Sequence, residues 1–345
     1  MKKRIIKKIP YIAAFLCILM MLAGCSLNSF DINGQNINAS EDVLDDNLIV
    51  VGISQLGSES VWRSAHTVSI QNAFTKEKGY FMIFNNARQK QENQIKALRS
   101  FISQRVDYIV FAPVIEDGWD TVLKEAKDAG IPVILMDRTI SVKDESLYTT
   151  RVGIDARDEG EKAARWLEEE LIKEGRQNED INIVVIQGTS GSSSQRGRTI
   201  GFGAISDTHD NWHILTQVDG DFTTLKGKEA MQQILKLYGN DFDVLVCQND
   251  DMALGAIEAL DEAGIKTGIG EDIALISFDA THEALQLVQE GIINVDVECN
   301  PEQGEYISEV IQKLEAGEAV EKVYLVEEKV FTRDNVDEYI DNRNY

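Results

Sequence analysis

From Leu48 onward the chain alternates between two kinds of segment. Short apolar runs rich in β-branched residues occupy 48–53, 80–84, 108–111, 133–136, 183–186, 212–216, 244–247, 273–278 and 292–297. Between them lie longer stretches, such as 92–104, 119–129, 159–173 and 252–263, with apolar residues at three- and four-residue spacing. That spacing predicts amphipathic helices, and the near-continuous apolar runs predict strands covered on both faces. Gly130, Gly175 and Gly264 follow three of the helical stretches, where a left-handed residue closes a helix. Alternating strands and helices build parallel sheets between two helical layers, and this chain has too many units for one compact sheet. The predicted fold class is α/β, with two doubly wound parallel-sheet lobes.

The first 47 residues break this rhythm. Lys2, Lys3, Arg4, Lys7 and Lys8 precede an apolar run from Ile9 that ends in Leu22-Ala23-Gly24-Cys25. The run is shorter than the roughly 20 apolar residues a membrane span needs, and a basic start, apolar centre and small-residue end mark an export signal. The junction looks like a bacterial lipobox, which predicts a signal peptide over 1–24 and a lipid on Cys25. Residues 25–47, rich in Asn, Asp, Ser and Gly, read as the lipidated Cys and a flexible tether. The rest of the chain is then expected to act outside the cytoplasm, anchored to the cell membrane, in the periplasm or on the outer face.

Charge narrows the partners. The 345 residues carry 34 basic and 58 acidic side chains, a net charge of −24. Five of the basic ones lie in the first eight positions, so the remainder is more acidic still. Such a surface is repelled by phosphate backbones, which argues against nucleic acid as a partner. Beyond Cys17 and Cys25, only Cys247 and Cys299 remain, in or just after apolar runs, and read as buried free thiols.

In doubly wound sheets, ligands sit beyond the carboxyl ends of the strands. Here those ends carry polar groups: Asp137-Arg138, Gly188 to Gly191 with Arg196 and Arg198, Gln248 to Asp251, Asp279, and Glu298. The first strand is followed by Gly57-Ser58-Glu59-Ser60-Val61-Trp62-Arg63. Carboxylates, amides and guanidinium groups can each bridge two neighbouring hydroxyls, and charge-assisted bonds of this kind contribute roughly 1.5–3 kcal/mol each. Trp62 and Phe222 offer flat faces for the C–H side of a sugar ring.

These motifs resemble the periplasmic sugar-binding proteins of the ribose-binding type, which serve ABC importers. The resemblance runs from about Leu48 to the last turns and rests on Asp137-Arg138, the Gly188–Gly191 turn with Arg198, the run from Gln248 to Ala256, Phe278-Asp279 and Asp221-Phe222-Thr223. Within that group, Gly57 to Arg63, Gln89 to Gln94 and Lys124 to Ala129 are similar to the galactofuranose-binding branch, from which Ala280 departs where that branch has Gly. The resemblance implies the type I periplasmic binding protein fold with three inter-lobe connections, near Ile154-Asp155, Glu298-Cys299 and Glu327-Glu328. The lobes are then 48–154 plus 299–327 and 155–298 plus 328–345. It implies a monosaccharide ligand held by Glu59, Trp62, Arg63, Asp137 and Arg138 from one lobe, Arg198, Phe222, Asn249 and Asp279 from the other, and Glu298 at the hinge. The implied partners are an ABC permease and its ATPase, with the chain acting as a monomer. A sensor role, signalling sugar occupancy to a membrane kinase or chemoreceptor, fits the same features.

Other chemistries lack their residues. His66, His209, His213 and His282 are scattered, Gly201-Phe202-Gly203 lacks the third glycine of a dinucleotide fingerprint and falls in a helical stretch, and there is no Gly-x-Ser-x-Gly elbow. No enzyme, metal or cofactor is expected, and the adjacent Asp250-Asp251 suit a binding role better than a glycosidase pair.

Overall fold

A computed structural model describes residues 48–345. The expected signal peptide, lipidation at Cys25 and tether lie outside the described residues, and among the described residues no helix is long and apolar enough to cross a membrane.

The strands form two six-stranded sheets of matching order. The first holds β1 (Ile49–Gln55), β2 (Tyr80–Asn86), β3 (Tyr108–Phe111), β4 (Val133–Asp137), β5 (Thr150–Gly153) and β11 (Val323–Leu325), in the order β11-β5-β4-β3-β1-β2. The second holds β6 (Ile181–Gln187), β7 (Trp212–Asp219), β8 (Val244–Cys247), β9 (Ala274–Asp279), β10 (Val295–Glu298) and β12 (Val330–Thr332), in the order β12-β10-β9-β8-β6-β7. Every pairing is parallel except β10 with β12. The sheets need cover on both faces because their strands are buried on both, as Val110, Ile109, Ile134 and Leu135 show in the first and Ile183, Val184 and Leu245 in the second.

The covering helices are α1 (Val61–Ala73), α2 (Gln91–Gln104), α3 (Asp120–Asp128), α4 (Ala156–Glu174), α5 (Ser193–Ser206), α6 (Thr224–Tyr238), α7 (Asp250–Glu262), α8 (His282–Glu290) and α9 (Gly304–Glu315). Gly130, Gly175 and Gly264 all have φ between 72° and 75°, the left-handed closure their positions predict. The short strands β5, β11 and β12 were not among the predicted runs. Helices α4 and α5 pack closely because glycine allows it: a Cβ at Gly201 would lie 2.0 Å from Arg157 O. Gly201 thus sits inside a helix as expected, and the close packing sets Arg198 of α5 against Glu159 of α4.

The chain passes between the sheets three times. The first passage runs from β5 into α4, where Asp155 caps the helix by accepting from the N–H groups of Arg157 and Asp158. The second runs from β10 to α9, which lies against α1, with Gly304 N–H donating to Ser69 Oγ at 3.0 Å. The third joins β11 to β12. The passages bond to one another: Val326 N–H donates to Gly153 O at 2.9 Å and Lys329 N–H to Glu298 Oε2 at 2.9 Å. Beyond β12, Val336 and Ile340 pack into the core beside the second sheet.

Candidate ligand-binding site

The two sheets share the flavodoxin-like strand order, in which the crevice opens outside the carboxyl ends of the strands at a topological switch point. Twelve residues from both sides line one cavity there: Glu59, Ser60, Trp62, Arg63, Asp137, Arg138, Ser194, Arg198, Phe222, Asn249, Asp279 and Cys299. Its lining is mostly polar and charged, with Trp62 and Phe222 as the aromatic surfaces.

On the first lobe's side, Ser60 caps α1 by accepting from Arg63 N–H at 3.0 Å, which brings Trp62 and Arg63 to the cavity wall. Arg63 donates to Glu59 Oε1 at 3.0 Å and faces Asp137 Oδ2 at 2.8 Å. Burial alone would raise the Asp137 carboxyl, but Arg63 and Arg138 outweigh it and hold the group below the usual carboxylate range. For Arg138 the compensation from Asp137 and Glu59 falls short. Burial, then the neighbouring Arg63, lowers its guanidinium to about 10. Behind this wall, Gln303 Oε1 accepts from Asp137 N–H at 3.0 Å and lies 3.3 Å from His66 Nε2. Burial drives His66 down to about 3, so it is a neutral spacer that stacks on Trp62 at 5.1 Å between centroids.

On the second lobe's side, Asn249 caps α7 by accepting from Met252 N–H at 3.0 Å, which turns its amide Nδ2 toward the cavity. Arg198 donates to Glu159 Oε2 at 2.6 Å, to Asp279 Oδ1 at 3.3 Å and to the carbonyl of Gln248. Burial works against its charge, yet Glu159 and Asp279 together raise Arg198 well above its ordinary value. Phe222 adopts a left-handed backbone with φ 60°, and its ring fits only because residue 188 is glycine: a Cβ there would lie 1.9 Å from the ring. Asp279 and Ala280 also have positive φ, 113° and 58°. The turn at Ala280, where glycine was the expectation from resemblance, is therefore kept in the left-handed form by its burial and by its N–H bond to Asp296 at 3.1 Å.

Four buried polar atoms of this wall have no hydrogen-bond partner among the described residues: Glu59 Oε2, Asp137 Oδ2, Arg138 Nε and Asn249 Nδ2. Asp137 Oδ2 touches Arg63 without the alignment of a hydrogen bond. Asp137 Oδ2 is offset by the Arg63 cation at 2.8 Å, and each of the other three costs roughly 1–3 kcal/mol. Two are acceptors and two are donors. A hydroxyl both donates and accepts, so a polyhydroxylated ligand answers all four.

The lobes meet around the cavity. Asp251 Oδ2 accepts from Val61 N–H at 3.1 Å, Glu116 N–H donates to Gly191 O at 3.1 Å, Thr139 N–H donates to Ser193 Oγ at 2.9 Å, and Arg196 pairs with Glu116 at 2.5 Å.

Residues 51–319 match the family described as the periplasmic binding protein domain. The chain belongs to that family. It is 39% identical to the galactofuranose-binding protein YtfQ of Escherichia coli K12 over 86% of this chain and 91% of that one. A Mycobacterium smegmatis structure in complex with β-D-fucofuranose superposes with a TM-score of 0.81 at 39% identity, covering 86% and 95% of the two chains. The binding component of the arabinose ABC transporter from Shewanella sp. ANA-3, bound to α- and β-L-arabinofuranose, gives 0.79 at 38% identity over 86% and 95%. These relatives place the chain in the sugar-binding, ribose- and galactofuranose-type group of the periplasmic binding protein family, whose members bind solutes and are not enzymes.

The structure of this family member gathers nine of the ten residues expected at the site. Glu298 stands apart from the cavity: its carboxylate accepts from Lys329 N–H and pairs with Arg343 at 2.8 Å, so it joins two chain passages. Cys299, one residue on, lines the cavity instead, and its carbonyl accepts from Trp62 Nε1. Both Cys247 and Cys299 are free and buried. The pair Asp250-Asp251 does not line the cavity. Asp250 accepts from Ser277 Oγ at 2.5 Å and Thr281 N–H at 2.7 Å beneath the β9 turn, while Asp251 sits at the lobe–lobe contact. Ser194, Glu159 and Gln303 had no signal in the sequence, because polar residues of ordinary type at helix starts read equally well as solvated.

Asp251 gives the site a pH dependence. Burial, chiefly, raises its carboxyl from 3.8 to about 7. A native value above the unfolded one means that its contribution to stability is present at low pH and lost as pH climbs from about 4 to about 7. Asp251→Asn keeps the acceptor for Val61 N–H without the buried charge. Its melting temperature should exceed that of wild type at pH 8 by more than at pH 5; a gap that does not grow with pH contradicts the assignment.

Proposed function

We propose that this protein is an extracytoplasmic lipoprotein that captures a monosaccharide in furanose form between its two lobes and hands it to an ABC importer. The observation that carries the reading is the set of four buried polar atoms without a hydrogen bond around the cavity between the lobes. Glu59, Trp62, Arg63, Asp137 and Arg138 from one lobe and Arg198, Phe222, Asn249 and Asp279 from the other are the proposed contacts. The lobes are 48–154 plus 299–327 and 155–298 plus 328–345, which is supported by sheet membership, by α9 lying on α1 and by the core position of Val336 and Ile340. A furanose is favoured because the compared proteins are a galactofuranose-binding protein and complexes with fucofuranose and arabinofuranose. Delivery to an importer is supported by the Shewanella protein, itself a component of an arabinose ABC transporter. Lobe closure around the sugar would select the liganded form for the transporter.

The sugar is found by a thermal-shift screen of pentoses and hexoses, including D-galactose and L-arabinose, whose solutions equilibrate between pyranose and furanose rings. A ligand at about 100 times its Kd adds about 2.7 kcal/mol of stability. No shift with any sugar defeats the reading. The anchor is tested separately: Cys25→Ser should move the protein from the membrane fraction to the soluble fraction, and retention on membranes would refute lipidation at Cys25.

A further inference from the structure

Arg198 is held from behind by a carboxyl that is itself only half satisfied. Glu159, in the first turn of α4, is fully buried, and its Oε2 accepts from Arg198 Nε at 2.6 Å. Its Oε1 has no partner among the described residues. Glu328, on the third passage between the lobes, brings a carboxyl oxygen to this point, where it, a Glu159 oxygen and Cys299 Sγ lie within 4.8 Å of one another. The other partner of Glu328 is fixed: its Oε1 accepts from Asn300 N–H at 3.2 Å, which leaves Oε2 free.

Two ionised carboxylates pressed together in this setting repel, whereas one proton converts the contact into an O–H···O bond and supplies Glu159 Oε1 with its missing donor. We propose that Glu328 is a positioning residue for the sugar site: it donates as a protonated carboxyl to Glu159, which in turn fixes the guanidinium of Arg198. Its effect on sugar affinity rests on the function proposed above; its effect on stability does not.

The surrounding charges favour a proton over a metal ion. Arg198 from α5 and Lys162 from α4 flank the pair, and Lys162 is itself bound to Asp158 at 2.7 Å. Arg151 of β5 faces Glu328, with Asp155 beside it, and Asp279 of β9 faces Glu159. The Cys299 thiol is raised well above its ordinary value, chiefly by burial, and stays protonated. Burial, then Glu159, pushes the Glu328 carboxyl well above the usual carboxylate range.

The sign follows from linkage. A native pKa above the unfolded value of about 4.5 means stability that is present at low pH and lost as pH rises. Glu328→Gln donates an amide N–H to Glu159 at every pH. Its melting temperature should therefore rise relative to wild type as pH increases from 5 to 9, by several degrees at the upper end. Glu328→Ala, lacking a donor, should weaken binding of whichever of D-galactose or L-arabinose binds by about tenfold, while Glu328→Gln stays within about threefold of wild type. A Glu328→Gln protein that loses stability at all pH values alike, or a Glu328→Ala protein that binds as wild type does, overturns the proposal. If neither sugar binds any form, the functional reading fails and the pH series alone decides the shared proton.

Discussion

Replacing Arg138 with Ala is expected to lower sugar affinity by about 100-fold or more and to leave thermal stability close to that of wild type. The two halves of this expectation have one cause. Arg138 is buried, yet its Nε makes no hydrogen bond and lies 3.8 Å from Asp137 Oδ2, while its Nη1 donates to the carbonyl of Val114 at 3.0 Å. Burial and Arg63 lower its pKa to about 10, so the folded protein holds this cation at a cost. Removing it relieves that cost and leaves Asp137 with Arg63 at 2.8 Å and Gln303 behind it. The ligand bears the loss. Two charge-assisted bonds at roughly 1.5–3 kcal/mol each exceed the roughly 2.8 kcal/mol of a hundredfold change. Calorimetric titration of the variant with the sugar found by screening checks the affinity, and melting curves check the fold. Wild-type affinity would show that Arg138 does not touch the sugar.

Arg198→Ala should behave in the opposite way with respect to stability. Its guanidinium bridges Glu159, Asp279 and the carbonyl of Gln248, and all of these are buried. Truncation leaves two buried carboxylates without their cation, and breaking a buried pair in this manner costs about 3–5 kcal/mol. Arg198→Lys should not rescue it, because one ammonium cannot reach three acceptors set around a planar fork. Urea denaturation should show the midpoint falling sharply in both variants. An unchanged midpoint for Arg198→Ala would mean that the ion pairs contribute nothing net to the fold. The contrast between the two arginines separates a group kept for the ligand from one kept for the architecture as well.

Most of the fold was legible because its signal is local. The long apolar strands and amphipathic helices announce themselves by periodicity, and the glycine closures at 130, 175 and 264 fall where expected. What periodicity missed are β5, whose Thr150-Arg151-Val152-Gly153 has only one apolar side chain, and β11 and β12, whose three residues are too few to carry a pattern. The observed strands also run past the apolar stretches into their polar ends, at Gln55, Asp137, Gln187, Asp279 and Glu298. Asp137 and Asp279 among these ends line the cavity, whereas Gln55 bonds His66 and Thr67 behind it and Gln187 bonds Asp219 and Gln195. Glu298 is also set apart from the cavity. It ends β10 as Asp279 ends β9, but Arg343 and Lys329, far along the chain, claim its carboxylate. Glu159 shows the converse: inside an acidic helix it is indistinguishable from its solvated neighbours until α5 packs across it.

The central claim, that the cavity between the lobes exists to hold one monosaccharide, is tested most directly by titrating the protein with D-galactose and with L-arabinose in a calorimeter, beside Arg138→Ala. The account predicts saturable binding of at least one of them, one site per chain, with affinity falling about 100-fold or more in the variant. Absence of heat with both sugars, or equal binding by wild type and variant, would contradict it.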